Sequence, residues 1–326
     1  MTRLEVRGES WPLAQVFTIS RGSKNSADVV VCTLHRDGYS GRGESMPYPR
    51  YNESVQGTMQ EIEGLRAEIE AGLDRIELQT RLPPGAARNA LDCAFWDLEA
   101  KMTGKAVHEL AGLPAPSPVQ TAYTISLDTP EKMGAAAATN ANRPLLKIKL
   151  AGQGDLERVA AIRQNAPNST LIVDANEGWT ADRVERSADE LAQLGVALVE
   201  QPLAAADDAI LAQLAHPLPF CADESCHIAA DLEALAERYE YVNIKLDKSG
   251  GLSEALGLLK KARTLELGLM IGSMVATSLA MAPAALLATG AEYVDLDGPL
   301  LLLEDRHPGL RYEGSTLYPP TPDLWG

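Results

Sequence analysis

Three short apolar runs in the middle of the chain each lead into a carboxylate: Leu171-Ile172-Val173-Asp174, Ala197-Leu198-Val199-Glu200 and Phe220-Cys221-Ala222-Asp223. Taken singly, each acid reads as a helix N-cap at a strand-to-helix turn, a role common for Asp and poor for Glu. Taken together they end successive strands, and in a parallel barrel the ends of adjacent strands lie side by side on the face where active sites are built. Carboxylates brought that close repel unless a cation lies among them. A site made only of oxygen ligands favours Mg²⁺ over Zn²⁺.

Lysines flank this triplet. Lys147-Ile148-Lys149 closes the preceding β-rich run, and strand alternation sends both ammonium groups to one side with Ile148 on the other. The run Val242-Asn243-Ile244-Lys245-Leu246-Asp247-Lys248 places Lys245 across a barrel mouth from Lys149. The apolar residues leading into Lys149 and Lys245 predict burial, where a lysine without a partner is costly; Lys248 reads as solvated surface. Near the end, Val294-Asp295-Leu296-Asp297-Gly298-Pro299 carries two aspartates that alternation again points one way, although the Gly-Pro turn by itself accounts for Asp297. Thr124 and Ser273 end the first and seventh runs and are candidate substrate contacts. His227 reads as structural or surface, and Gly250-Gly251 as the turn into a helix.

The elements that must hold these residues follow from periodicity. Strand-like runs at 120–125, 145–150, 171–173, 197–199, 219–221, 241–244, 267–271 and 293–296 alternate with Ala/Leu-rich helical stretches, as parallel βα architecture requires. A doubly wound open sheet gives a similar alternation. Eight strands in succession, with no GxGxxG after the first, favour a (β/α)7β barrel of the TIM type. Before it, strand-like segments at 4–6, 16–19 and 29–34 are followed by Gly41 and Gly43, which break the pattern, and then by helices. The clearest helix follows Pro83-Pro84-Gly85 and repeats Ala87, Ala90, Leu91, Ala94 and Leu98 at helical spacing. The expected organisation is an α+β capping domain over 1–115, a barrel over 116–300, and a segment over 301–326 that packs back on the first domain.

The 326 residues are 45% hydrophobic and 23% charged, with a formal net charge of -16. That acidity, with no basic stripe, argues against nucleic acid. No run approaches the ~20 apolar residues of a membrane span. The charged segment Met1 to Val6 lacks the apolar core of a secretory signal, so a cytoplasmic protein with reduced thiols is expected. Cys32, Cys93, Cys221 and Cys226 show no CxxC spacing and read as buried structural thiols. Oligomeric state is left open, a homo-oligomer included.

The combined pattern, including Ala90-Leu91-Asp92-Cys93-Ala94-Phe95-Trp96-Asp97-Leu98 in the first domain, resembles the muconate-lactonizing subgroup of the enolase superfamily over nearly the whole chain. That resemblance implies a Mg²⁺-dependent enzyme that moves a proton alpha to a carboxylate, with Asp174, Glu200 and Asp223 as metal ligands, Lys149 and Lys245 as opposed acid and base, and Lys147 against the substrate carboxylate. Within the subgroup, the end of the chain is similar to dipeptide epimerases acting on L-Ala-D/L-Glu, whose DxD holds the dipeptide α-ammonium. Here Asp295 and Asp297 take that place. First-domain loops cap the barrel mouth in this family, so Arg21 or Arg50, near Tyr48, is expected to meet a distal carboxylate. N-acylamino acid racemases, o-succinylbenzoate synthases and cycloisomerases share the metal and lysine set, and a catalytically silent ligand-binding barrel is the alternative from another class.

Overall fold

The computed structural model describes residues 1–326. An antiparallel sheet opens the chain, formed by β1 (Arg3–Ile19), β2 (Gly22–Arg36) and β3 (Tyr39–Ser45) in the order β1-β2-β3. The two segments expected at 4–6 and 16–19 are thus one long strand, whose register shifts between Pro12 and Phe17. At that irregularity ladder pairing lapses and then resumes into the tip of the β1–β2 hairpin. The tip reaches the barrel, where Thr18 N donates to Ser126 Oγ at 2.7 Å and Ser20 Oγ to the Asn176 carbonyl at 3.1 Å.

Gly41 and Gly43 do not break the pattern; they lie inside β3. A Cβ on Gly41 would stand 2.3 Å from the Ala94 carbonyl oxygen, and one on Gly43 would stand 2.1 Å from that of Ala90. The glycines therefore let the helix Ala86–Thr103 rest directly on strand backbone. That helix is buried along most of its length.

The short β4 (Val119–Gln120) joins a second small sheet with β13 (Tyr312–Glu313) and β14 (Thr316–Leu317). The run expected at 120–125 is accordingly split, and only its second half enters the barrel. The barrel strands are β5 (Tyr123–Ile125), β6 (Leu145–Lys149), β7 (Thr170–Asp174), β8 (Val196–Glu200), β9 (Phe220–Ala222), β10 (Tyr241–Lys245), β11 (Gly268–Gly272) and β12 (Tyr293–Asp295). They form one eight-stranded sheet in chain order with parallel pairing throughout. Between β12 and β5 the ring closes through Ala122 N to the Val294 carbonyl at 2.7 Å and Leu296 N to Thr121 Oγ1 at 2.9 Å. Helices link most of the strands; between β8 and β9 only a 3-10 segment, Asp208–Gln213, does so.

Alternation sorts the strand residues by height and side. Leu146, Ile148, Val173, Val199, Val242, Ile244 and Ile271 belong to the large core shared with the outer helices. Leu145, Ile172, Leu198, Cys221 and Met270 form a separate small cluster with Ala122, an apolar plug inside the barrel. Two residues further along the same strands come Lys147, Asp174, Glu200 and Asp223, so the charged layer sits on that plug. All four cysteines are buried and free. At the chain end, Trp325 Nε1 donates to the Cys93 carbonyl at 3.0 Å and Gly326 N to Asp97 Oδ1 at 2.7 Å, against the first domain's helix. No helix is long and apolar enough to cross a membrane.

Candidate active site

A cavity of about 410 Å³ opens between the barrel mouth and the first domain. Its barrel wall includes Thr124, Lys149, Asp223, Lys245, Ser273, Asp295 and Asp297; its cap wall includes Phe17, Ile19, Arg21, Lys24, Tyr48 and Arg50. Candidate residues from the ends of six barrel strands and from the cap loops thus share one chamber.

Asp174, Glu200 and Asp223 each offer a carboxylate oxygen within 4.8 Å of the others, all buried, and Asp223 lines the cavity. Their charge is balanced by lysines. Lys149 Nζ lies 2.6 Å from Asp174 Oδ2, and Lys245 Nζ lies 2.6 Å from Asp223 Oδ2. β6 and β10 stand four places apart in the eight-stranded ring, so the two ammonium groups approach the triad from opposite sides. Asn243, one alternation step before Lys245, donates to Glu200 Oε1 at 2.8 Å.

Electrostatics follow from burial and these pairings. Burial acts to raise the Asp174 carboxyl, but Lys149 and Lys147 outweigh it and hold the group below its ordinary value. Glu200 goes the other way, pushed up to about 7 by burial and by the charge of Asp174 against the pull of Lys147. For Lys245 burial disfavours the ammonium, yet Asp223 overcomes this and raises it. The site is therefore a dense, nearly compensated charge cluster, whose members depend on one another.

These residues fit a hard divalent cation. All the donors are oxygens and the geometry brings three carboxylates together; Glu200 Oε2 and Asp223 Oδ1 meet only a lysine ammonium, at 2.6 Å each, and Glu224 Oε2 and Asn176 Oδ1 are buried without any hydrogen-bond donor. Such uncompensated oxygens are costly in a protein interior unless a cation meets them.

Two further lysines lie deeper than Lys149 and Lys245. Lys147 does not line the cavity; it is wholly buried, with Nζ 2.6 Å from Glu200 Oε2, 2.8 Å from Asp295 Oδ2 and 3.3 Å from Asp174 Oδ2. It lies one alternation step deeper than Lys149, and that depth gives it carboxylates as its neighbours. Lys248 is not solvated surface. The short helix Leu246–Ser249 turns it back under the site, where Nζ stands 2.6 Å from Asp223 Oδ1 and donates to the carbonyls of Asn243, at 3.1 Å, and Asp223. Strand periodicity ends at Lys245, so nothing in the alternation pointed to it.

Arg21 and Arg50 both line the cavity but are already paired. Arg21 lies 2.7 Å from Glu224 Oε1 and 3.3 Å from Glu177 Oε2, while Arg50 forms a fork on both oxygens of Glu177 at 2.7 Å. Asn176 and Glu177 adopt positive φ of 45° and 63°, a strained turn that presents the Asn176 carbonyl to Arg21 at 2.8 Å. Neither Glu177 nor Glu224 carried a periodic signal beyond its place after a strand end.

Asp295 uses Oδ2 for Lys147, whereas its buried Oδ1 accepts no hydrogen bond. Asp297 Oδ2 accepts from Thr124 N at 2.6 Å across the barrel seam. Burial and the neighbouring Asp295 charge push Asp297 up to about 7. Ser273 Oγ lies 3.4 Å from the Asp295 carbonyl oxygen. His227 stacks edge-on against Tyr51 at 4.9 Å and shares a 3.0 Å hydrogen bond with the Glu224 carbonyl, a supporting position outside the cavity lining. Gly250 and Gly251, at φ 79° and 113°, form the turn into the helix Leu252–Thr264.

Comparison with known proteins agrees with this geometry. The model for the mandelate racemase / muconate lactonizing enzyme N-terminal domain matches residues 1–112, and that for the enolase C-terminal domain-like family matches residues 132–321. The chain is 48% identical to an L-Ala-D/L-Glu epimerase of Escherichia coli strain K12, over 98% of this chain and 100% of that one. It is 45% identical to an N-acetyl-D-glutamate racemase of a Pseudoalteromonas species, over 91% and 95% of the respective chains. A crystal structure of an enolase family member from Agrobacterium tumefaciens with homology to dipeptide epimerases, holding sodium and L-Ala-L-Glu, superposes with TM-score 0.98 at 52% identity over 100% of both chains. An eight-stranded parallel barrel, an antiparallel capping sheet, an acidic triad between opposed lysines and these matches together show that the chain belongs to the mandelate racemase/muconate lactonizing enzyme family of the enolase superfamily.

Proposed function

We propose that this protein is a Mg²⁺-dependent epimerase of dipeptides of the L-Ala-D/L-Glu type, inverting the carbon alpha to the terminal carboxylate by proton transfer between two lysines. The observation that carries the reading is the pair Lys149 and Lys245 on opposite sides of the acidic triad, both lining the cavity. Inversion needs one group to take the proton from one face and another to return it on the other face. Asp174, Glu200 and Asp223 would hold the cation, which supplies positive charge beside the substrate carboxylate as the α-proton leaves. Lys147, pinned by Glu200 and Asp295, adds a fixed positive charge beneath the triad. Asp295 Oδ1 and the Asp297 carboxyl form the acidic end of the chamber that receives the dipeptide ammonium. The relatives from Escherichia coli and Agrobacterium tumefaciens support the substrate class. On that reading the enzyme serves recycling of cell-wall peptides in the cytoplasm, with which four free buried thiols are consistent.

A second reading, racemisation of an N-acylated glutamate, is favoured by the Pseudoalteromonas relative. It leaves the unpartnered Asp295 oxygen without a ligand group of opposite charge.

The test is α-proton exchange in D₂O with L-Ala-L-Glu and L-Ala-D-Glu. Lys149→Ala and Lys245→Ala should each abolish epimerisation while retaining exchange of opposite epimers, and exhaustive chelation should stop both reactions. Equal exchange of both epimers by both variants, or full turnover after chelation, would overturn the mechanism.

A further inference from the structure

Gln201 directly follows Glu200 and is wholly buried, yet it does not line the cavity. Its backbone sits at φ 34°, in the left-handed region, which a long side chain adopts only where its surroundings impose it. The bonds that impose it reach the turns on either side. Gln201 N donates to the Cys221 carbonyl of β9 at 2.9 Å, and the Gln201 carbonyl accepts from Glu177 N, in the turn after β7, at 2.9 Å.

The side chain extends these links. Oε1 accepts from Asp223 N at 2.8 Å and from Ser225 N at 3.1 Å, so one carboxamide oxygen closes the turn that carries the third acid of the triad. Backbone N–H groups can only donate, which fixes the amide with its nitrogen on the other side. There Nε2 meets the Leu203 carbonyl at 2.9 Å, Ser225 Oγ at 2.8 Å and the Tyr239 hydroxyl at 2.9 Å. Ser225 Oγ and Tyr239 in turn donate to Asp208 Oδ2 at 2.6 and 2.9 Å, and Asp208 Oδ1 is paired with Arg238 at 3.1 Å. Every polar atom of Gln201 is thus spent on protein partners, and a shift of any one turn leaves a buried donor or acceptor unmatched. The turns that follow Asp174, Glu200 and Asp223 are bonded to one another through this single residue.

We propose that Gln201 is the positioning residue that sets the spacing of the three carboxylates, and through it the preference of the site for a small divalent cation over a larger one. This rests on the metal-dependent part of the epimerase reading. Mg²⁺ demands short, nearly fixed oxygen positions, whereas Ca²⁺ accepts longer and more variable ones. A turn after β9 that is released from Gln201 holds Asp223 less closely, and the smaller ion loses more by that.

The experiment is calorimetric titration of the full-length protein, freed of metal, with Mg²⁺ and separately with Ca²⁺, for wild type, Gln201→Met and Tyr239→Phe, beside urea unfolding of each. Gln201→Met keeps the length of the side chain and removes its hydrogen bonds; it should raise the Kd for Mg²⁺ by about tenfold or more and that for Ca²⁺ by no more than about threefold. Tyr239→Phe removes one partner of Nε2 and leaves Oε1 on Asp223 N, so it should shift the Mg²⁺ to Ca²⁺ ratio the same way by about threefold. If Gln201→Met does not fold, that ratio in Tyr239→Phe decides alone. A lowered urea midpoint with an unchanged ratio, or an unchanged Mg²⁺ affinity, overturns the assignment and leaves the metal-dependent reading standing. A wild type that binds no divalent cation overturns both.

Discussion

Asp295 commits only one of its oxygens: Oδ2 holds Lys147 at 2.8 Å, and Oδ1 is buried and unpartnered beside the cavity. Its neighbour Asp297 spends one oxygen on Thr124 N at 2.6 Å. An Asn in place of Asp297 can keep that hydrogen bond through its carbonyl oxygen while losing the charge. Truncating one partner of a desolvated charge pair costs about 2 to 5 kcal/mol, or tens-fold to several thousand-fold in kcat/KM. Asp297→Asn should therefore impair L-Ala-L-Glu by that range and N-acetyl-L-Ala-L-Glu, which has no ammonium, far less. Similar losses on the two substrates would mean that Asp297 serves the seam and not the ligand. At this scale the sequence was readable wherever alternation continued unbroken. Asp174 and Glu200 end strands, Asp223 directly follows one, and Lys149 and Lys245 close theirs. Lys248, Glu177 and Glu224 lie past the strand ends, where a short helix or a strained turn decides direction, and no period reports on that.

Among the elements, the contact between β3 and the helix Ala86–Thr103 shows how a sequence signal can be misassigned. Two glycines in a strand suggest a break by propensity, but here they remove side chains where backbone meets backbone. Gly43→Ala would place a methyl 2.1 Å from the Ala90 carbonyl oxygen and 2.7 Å from Ala94 N. Neither atom can rotate away, so a loss of about 3 kcal/mol or more is expected. Gly257, inside the helix Leu252–Thr264 with nothing within 4 Å of its would-be Cβ, makes the opposite case: Gly257→Ala should gain up to about 1 kcal/mol. Urea unfolding of the two variants beside wild type checks both signs, and a neutral Gly43→Ala would show that the helix is free to shift outward. The barrel strands were legible because each is apolar and bounded by turns. The split of 120–125 between two sheets was not, since Val119 and Gln120 change partners for a strand nearly two hundred residues away, Thr316–Leu317.

For the molecule as a whole, function depends on the capping domain being held over the barrel, because the cavity has walls from both. Buried polar links span that junction. Arg88 donates to the carbonyls of Ser249, at 2.6 Å, and Gly250, at 3.1 Å; Asp92 accepts from Ser253 N at 2.9 Å; Glu44 accepts from Thr277 N at 2.9 Å. Asp247 is the link nearest the chemistry. It follows Lys245 by two residues, and its Oδ1 accepts from Met46 N at 2.9 Å and Asn89 Nδ2 at 2.8 Å, tying the cavity-lining Met46 to the end of β10. Burial pushes its carboxyl up to about 7, against the pull of those two donors. In the unfolded chain the same group ionises near the ordinary Asp value of about 3.9. Between those values the folded state binds the extra proton, so stability falls as pH rises through this window, by at most about 1.4 kcal/mol per unit. Asp247→Asn removes the proton and keeps an acceptor for Met46 N and Asn89. The variant should thus gain on wild type steadily from pH 5 to pH 7 and level off above it, as followed by urea unfolding across that range. A stability difference that stays constant with pH would show that Asp247 is already ionised in the folded protein, held as an anion by Met46 and Asn89.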